Sequence, residues 1–164
     1  MEGIGYDWNA IQLGEAVERT ADPRDLKSFR FEYEFSGADS DSVTVYVYSV
    51  PFFPLYNGKN IQYGISVDRQ PAFIVKVDSK EFSKGWKDRV LQNGTVAIAK
   101  FPIKQKLKYH LLTLTCGGPG VIIQRIVIDW GGLKSTYVGP QVALRSSHEH
   151  EGRGMNPGME NKKK

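Results

Sequence analysis

A single cysteine, Cys116, excludes an internal disulfide and leaves the redox compartment open. No apolar run approaches the roughly 20 residues that a membrane-crossing helix needs. The opening MEGIGYDWNA has neither a basic start nor an apolar centre, so it does not read as a signal peptide. Excess charge is also scarce. Of the net +4, two charges belong to residues 145 to 164, where Arg145, Arg153, Lys162, Lys163 and Lys164 outnumber Glu149, Glu151 and Glu160. The remaining body is nearly neutral and lacks the basic stripe that phosphate binding requires, which argues against a nucleic-acid partner.

Catalytic motifs are equally thin. HExxH, paired CxxC, GxSxG and phosphate-loop patterns are all missing. Of the three histidines, His110 sits in Tyr109-His110-Leu111 beside a core face and reads as structural. His148 and His150 sit in a polar tail, and two imidazoles on such a segment make a poor metal site. Cys116 has apolar neighbours and reads as a packed thiol. Asp68, Asp78 and Asp129 fall at strand ends, where acids commonly form turns; Asp68 in VDRQP marks a hairpin. No cofactor and no metal are expected, and no catalytic residue is assigned.

What is present is a period of two. Phe29, Phe31, Tyr33 and Phe35 alternate with Arg30, Glu32 and Glu34, and Val43, Val45 and Val47 alternate with Thr44, Tyr46 and Tyr48. Residues 61–68, 72–77, 95–101, 109–116 and 121–128 are further strand candidates, rich in β-branched and aromatic side chains. Seven or eight such strands predict an all-β fold, an antiparallel two-sheet sandwich of jelly-roll or galactose-binding-like type. One short helix is expected in a connection over 81–93, where Phe82, Trp86, Val90 and Leu91 recur at helical spacing. A helical turn is expected in WNAIQLGEAV near the start. The domain spans 1–144; the polar stretch 145–164 cannot bury enough apolar surface to offset ordering and is expected to be a disordered charged tail.

Aromatic residues are the richest signal. Trp8, Phe52, Tyr56, Trp86, Trp130 and Tyr137 fall in or beside loops and are the candidate binding residues. Rings there can stack on the apolar face of a sugar or plug the ends of the sandwich, and pattern does not choose between the two. Tyr46 and Tyr48, on the polar face of their strand, offer a third option, the floor of a shallow groove.

The segment GPGVIIQRIVIDWGGLKSTYVGP resembles the closing strand and terminal signature of the C-terminal domain of glycoside hydrolase family 115, the xylan α-glucuronidases. The matching positions are Pro119, Gly120, Val121, Asp129, Gly131, Gly132, Leu133, Lys134, Tyr137, Gly139 and Pro140. Trp8 to Gly14 looks like the family's entry motif. Pro51, Pro54 and Gly58 match its proline loop, Ile65 to Asp68 its Ile-Ser-Val-Asp strand end, and Trp86, Val90 and Asn93 its helix. Gln141 departs from the family's second terminal proline, and Lys108 to Leu112 departs from its Gly-Lys-His-Thr-Leu.

The resemblance implies a non-catalytic accessory module that packs against or pairs the catalytic domains. The family's catalytic acids lie in an upstream barrel, so none can be placed here. The alternative is a carbohydrate-binding module for xylan or glucuronoxylan, with Lys59 and Arg69 near a uronate. Partners are then the upstream domains or a xylan-type glycan, with a homodimer also compatible and no membrane involved. As part of a secreted enzyme the chain would be periplasmic or extracellular. On this reading, the glycines at 117–118 and 131–132 suit turns of positive φ, and Pro119 and Pro140 end the pairing of the last strand.

Overall fold

The two-residue alternation resolves into eight strands and one helix in a computed structural model that describes residues 10–13, 23–24, 29–51, 61–77, 82–91, 94–118 and 120–134. The strands are β1 (Ile11–Leu13), β2 (Arg30–Ser36), β3 (Ser42–Ser49), β4 (Ile61–Val67), β5 (Phe73–Val77), β6 (Thr95–Pro102), β7 (Tyr109–Cys116) and β8 (Val121–Asp129). The helix α1 (Lys84–Leu91) joins β5 to β6.

They form two four-stranded antiparallel sheets, ordered β1-β8-β3-β6 and β2-β7-β4-β5. On β3, Val43, Val45 and Val47 are buried while Thr44, Tyr46 and Tyr48 face outward half-covered. Opposite them Ile65, Val67, Leu112 and Leu114 turn inward, so the core lies between two dry faces. Each such aliphatic side chain contributes roughly 1.5–3 kcal/mol by leaving water, which fixes the register of every inner strand.

Three features differ from the sequence expectation. The predicted helical turn in WNAIQLGEAV is a short strand over its described part: Ile11, Gln12 and Leu13 pair with Ile123, Ile122 and Val121. Tertiary pairing overrides local propensity there, because fully buried Leu13 completes the core. The helix is shorter than 81–93 and ends where Gly94 N–H donates to Arg89 O at 3.1 Å. On β2 the aromatic row keeps its alternation, yet only Phe35 is buried; Phe29 and Tyr33 stay exposed because β2 is an edge strand.

The glycines divide by cause. Gly131 and Gly132 have φ of 119° and 91°, a conformation that costs other residues, as expected. Gly117 and Gly118 are different: neither has a positive φ, contrary to the expectation for that turn, and at Gly117 an added Cβ would lie 2.4 Å from Pro23 Cγ and 2.7 Å from Gln62 O. Space, rather than backbone angle, demands glycine at 117. The expectations for Pro119, Pro140 and the tail from 145 lie outside the described residues.

Candidate functional site

A histidine–carboxylate cluster at the edge of the core begins with a turn. Asp68 and Arg69 follow β4 with φ of 51° and 58°, and Gln70 N–H closes on Val67 O at 3.0 Å. Two consecutive positive φ values make a type I′ hairpin turn, whose twist suits the joined strands. The turn aims the Asp68 side chain across to β7. There Oδ1 accepts the Leu111 N–H at 3.0 Å and Oδ2 lies 2.6 Å from His110 Nδ1. The Asp68 N–H also donates to Leu111 O at 2.9 Å. One acid thus pins the start of β7 through three bonds.

His110 itself is 2% exposed. Its ring packs against Phe35 at 5.7 Å and Trp130 at 5.4 Å between centroids. The carboxylate accepts from Nδ1, so Nδ1 carries the proton, and Nε2 has no hydrogen-bond partner among the described residues. A histidine–carboxylate pair is the geometry of general-base catalysis, but that chemistry needs a reacting group within hydrogen-bond reach of the free nitrogen. Here the imidazole is buried and Gly37 lies close to that nitrogen: a Cβ at residue 37 would stand 3.2 Å from Nε2. The pair is a joint inside the fold, in keeping with a structural His110 and a turn-forming Asp68.

The other reactive groups are similarly occupied. Cys116 Sγ is buried, 3.3 Å from Leu13 O and 3.2 Å from Gly118 O. Asp129 Oδ1 accepts the Gly131 N–H at 2.8 Å, an Asx turn at the end of β8. Burial pushes the Tyr63 hydroxyl far above the ordinary phenol range, so it stays protonated. Among the described residues no cluster of three or more His, Cys, Asp or Glu could hold a metal ion.

Of the six aromatic candidates, Trp8, Phe52, Tyr56 and Tyr137 lie outside the described residues. Trp130 is half-buried, follows β8 and packs on Phe35 and His110, with ring centroids 5.8 Å apart in the first pair. Trp86 is half-buried on α1, with its ring 5.1 Å from that of Phe82. These two tryptophans therefore contact different elements and do not form one platform. Lys59 lies outside the described residues, and Arg69 is an exposed turn residue. Sequence reasoning missed the link between Asp68 and His110, because 42 residues separate them and only the β4–β7 register brings them together.

Comparison with known proteins gives a consistent picture. The model of the glycosyl hydrolase family 115 C-terminal domain matches residues 1–142. A solved structure of a family GH115 4-O-methyl-α-glucuronidase, BtGH115A, described as specific for decorated arabinogalactans, superposes with a TM-score of 0.65 at 22% identity. That match covers 80% of this chain and 15% of BtGH115A, so the chain spans a small part of that protein's length. At this identity the likeness concerns the fold. No curated protein matches the sequence.

Proposed function

This chain belongs to the family 115 C-terminal domain family, and from that premise we propose that it is the non-catalytic accessory module of an α-glucuronidase of the xylan-degrading type. On this reading it packs against the domains that carry the chemistry and holds them in place. The observation that carries the proposal is the internal position of the histidine–carboxylate joint found among the described residues: His110 is buried and its ring packs on Phe35 and Trp130. The small share of BtGH115A that the chain covers supports the same view, since most of such a protein lies in other domains.

The test is direct. The purified 164-residue chain, incubated with glucuronoxylan, is expected to release no 4-O-methylglucuronic acid. Any release above that of buffer alone would place a catalytic centre within this polypeptide and overturn the reading, and its loss in His110→Phe would put that centre at the histidine itself.

A second reading, a carbohydrate-binding module, is favoured by one observation. Tyr46 and Tyr48 stand two apart on the outer face of β3, half-covered, and Tyr48 lies opposite Arg125 on β8. Two rings about 7 Å apart beside a guanidinium suit a uronate-bearing glycan. Affinity electrophoresis in glucuronoxylan gels separates the readings. Retardation that Tyr48→Ala abolishes supports glycan binding; unchanged mobility at millimolar sugar dismisses it.

A further inference from the structure

By register Tyr33 belongs to the interior, yet it lies in water. It stands opposite Leu112 on β7, which is fully buried, so its ring points to the core side of the sheet. Even so, Tyr33 is 51% exposed. The cause is a gap in the other sheet. β1 lies over β7 and β6 over β4, so the β2 margin is faced by β1 and the outer side of β8. But β1 is three residues long and pairs only with Val121, Ile122 and Ile123. From there to Asp129, β8 has β3 on one side and no described strand on the other. Cys116 Sγ against Leu13 O marks the covered end of this margin, and Trp130 packed on Phe35 marks the far end. Tyr33 falls between them, where a longer β1 would run.

The backbone of β8 is aimed into that gap. The Ile103 N–H bond to Asp41 O continues the β3–β6 ladder, so odd-numbered residues of β3 bond to β6 and even-numbered ones to β8. Val127 and Asp129, opposite Tyr46 and Thr44, therefore turn their N–H and C=O groups to β3, while Ile126 and Ile128 turn theirs away from it. On that side these groups have no hydrogen-bond partner among the described residues. The Ile126 and Ile128 side chains face the core opposite Val47 and Val45 but stay half-buried, as the wall of an open slot does.

We propose that this one-strand slot binds an extended peptide of a separate polypeptide, added to β8 as a further strand. Backbone donors and acceptors alternating at strand spacing are complemented by another strand, not by a sugar or a lipid. Ile126, Ile128 and Tyr33 call for apolar side chains at the peptide's inward positions and leave the outward ones to polar residues. The core does not depend on the occupant, since Val45, Val47 and Leu112 are already fully buried. A reversible ligand suits such a slot better than a fixed part of the fold, and the proposal stands apart from the accessory-module reading.

The test is an NMR titration of the isotope-labelled chain with a capped peptide of about seven residues that alternates valine and lysine. At about 1 mM peptide, the Ile126 and Ile128 amides are expected to shift and to exchange with solvent at least about tenfold more slowly, while those of β4 stay unchanged. The same peptide N-methylated at alternate positions cannot donate to β8 and should not bind. Tyr33→Glu, at an exposed position, should weaken binding about tenfold and leave the circular dichroism spectrum unchanged. Any of four results would overturn the assignment: no shift up to about 10 mM peptide, shifts centred on the β6 edge, equal binding of the N-methylated peptide, or the same shifts with xylo-oligosaccharides. Self-association at about 1 mM that protects Ile126 and Ile128 without peptide would also overturn it, by giving the slot to a second copy. None of these outcomes touches the accessory reading, which stands or falls on the release assay.

Discussion

Removing the carboxylate of Asp68 should unlock the start of β7, and the size of the effect follows from the bonds it makes. Asp68→Ala leaves the Leu111 N–H and the His110 Nδ1 without their acceptor, while the backbone bond from Asp68 N–H to Leu111 O survives. Each orphaned group costs about 1–3 kcal/mol. Water entering beside the partly open turn offsets some of this, and alanine at a φ of 51° adds about 1 kcal/mol. The expected loss is therefore about 3–5 kcal/mol, or roughly 9–15 °C in Tm for a domain of this size. His110→Phe should behave differently. Phenylalanine fills the same space against Phe35 and Trp130, and Asp68 keeps both Leu111 N–H and water, so the cost stays below about 1.5 kcal/mol. The double variant should lose less than the sum of the singles, because the acid then has no imidazole to leave unpaired. Urea denaturation followed by tryptophan fluorescence reads this directly, since Trp130 packs on the joint. If His110→Phe costs as much as Asp68→Ala, or the two losses simply add, the account of a carboxylate-held joint is wrong.

Three smaller outcomes follow from neighbouring features. Arg69→Gly should raise stability by about 1 kcal/mol in thermal melts, because Asp-Gly is the favoured pair for a type I′ turn and arginine at a φ of 58° is strained. Tyr63→Phe should be neutral or slightly stabilising, since the buried hydroxyl has no partner among the described residues; a loss above about 1 kcal/mol would reveal one. Lys106 donates to the exposed Asp39 carboxylate and lowers its pKa, so Lys106→Met should raise the Asp39 titration midpoint seen by NMR. The sign is that of a depressed carboxylate: whatever stability the pair adds is present above the unfolded-state pKa of Asp39 and fades as pH falls through the folded value. Lys106, raised by the same contact, loses its share as pH climbs past the ordinary lysine range, and added salt should shrink both effects.

Much of the sandwich was legible because one physical rule dominates it. Strands with one dry face must alternate, so SVTVYVYS and YHLLTLTC match β3 and β7 end for end. The rule fails where burial is incomplete or pairing is remote. β1 has three residues, too few to display a period, and exists because β8 and the core accept it. The aromatics of β2 alternate correctly, yet Phe31 and Tyr33 remain partly in water while Phe35 is buried, since position at the sheet edge is a property of topology that no single strand reveals. His110 and Asp68 were each read correctly alone, as a core histidine and a turn acid, but their meeting depends on a register between strands far apart in sequence. The helical spacing of Phe82, Trp86 and Val90 was also visible; how little of α1 would be buried was not, because the same spacing serves a buried helix and an exposed one.

The position of β8 carries a consequence for biosynthesis. It runs between β1 and β3, pairing with both, although it is made after every other described strand. A ribosome that has delivered residues 1–120 has supplied both flanks of that sheet and nothing to bridge them. Until the final nine-residue strand emerges, β1 lacks a hydrogen-bonding partner and one side of β3 stays bare. The nascent chain therefore cannot close its sandwich progressively, and interruption of translation just short of Val121 would leave an adhesive, half-built sheet of the kind that chaperones retain.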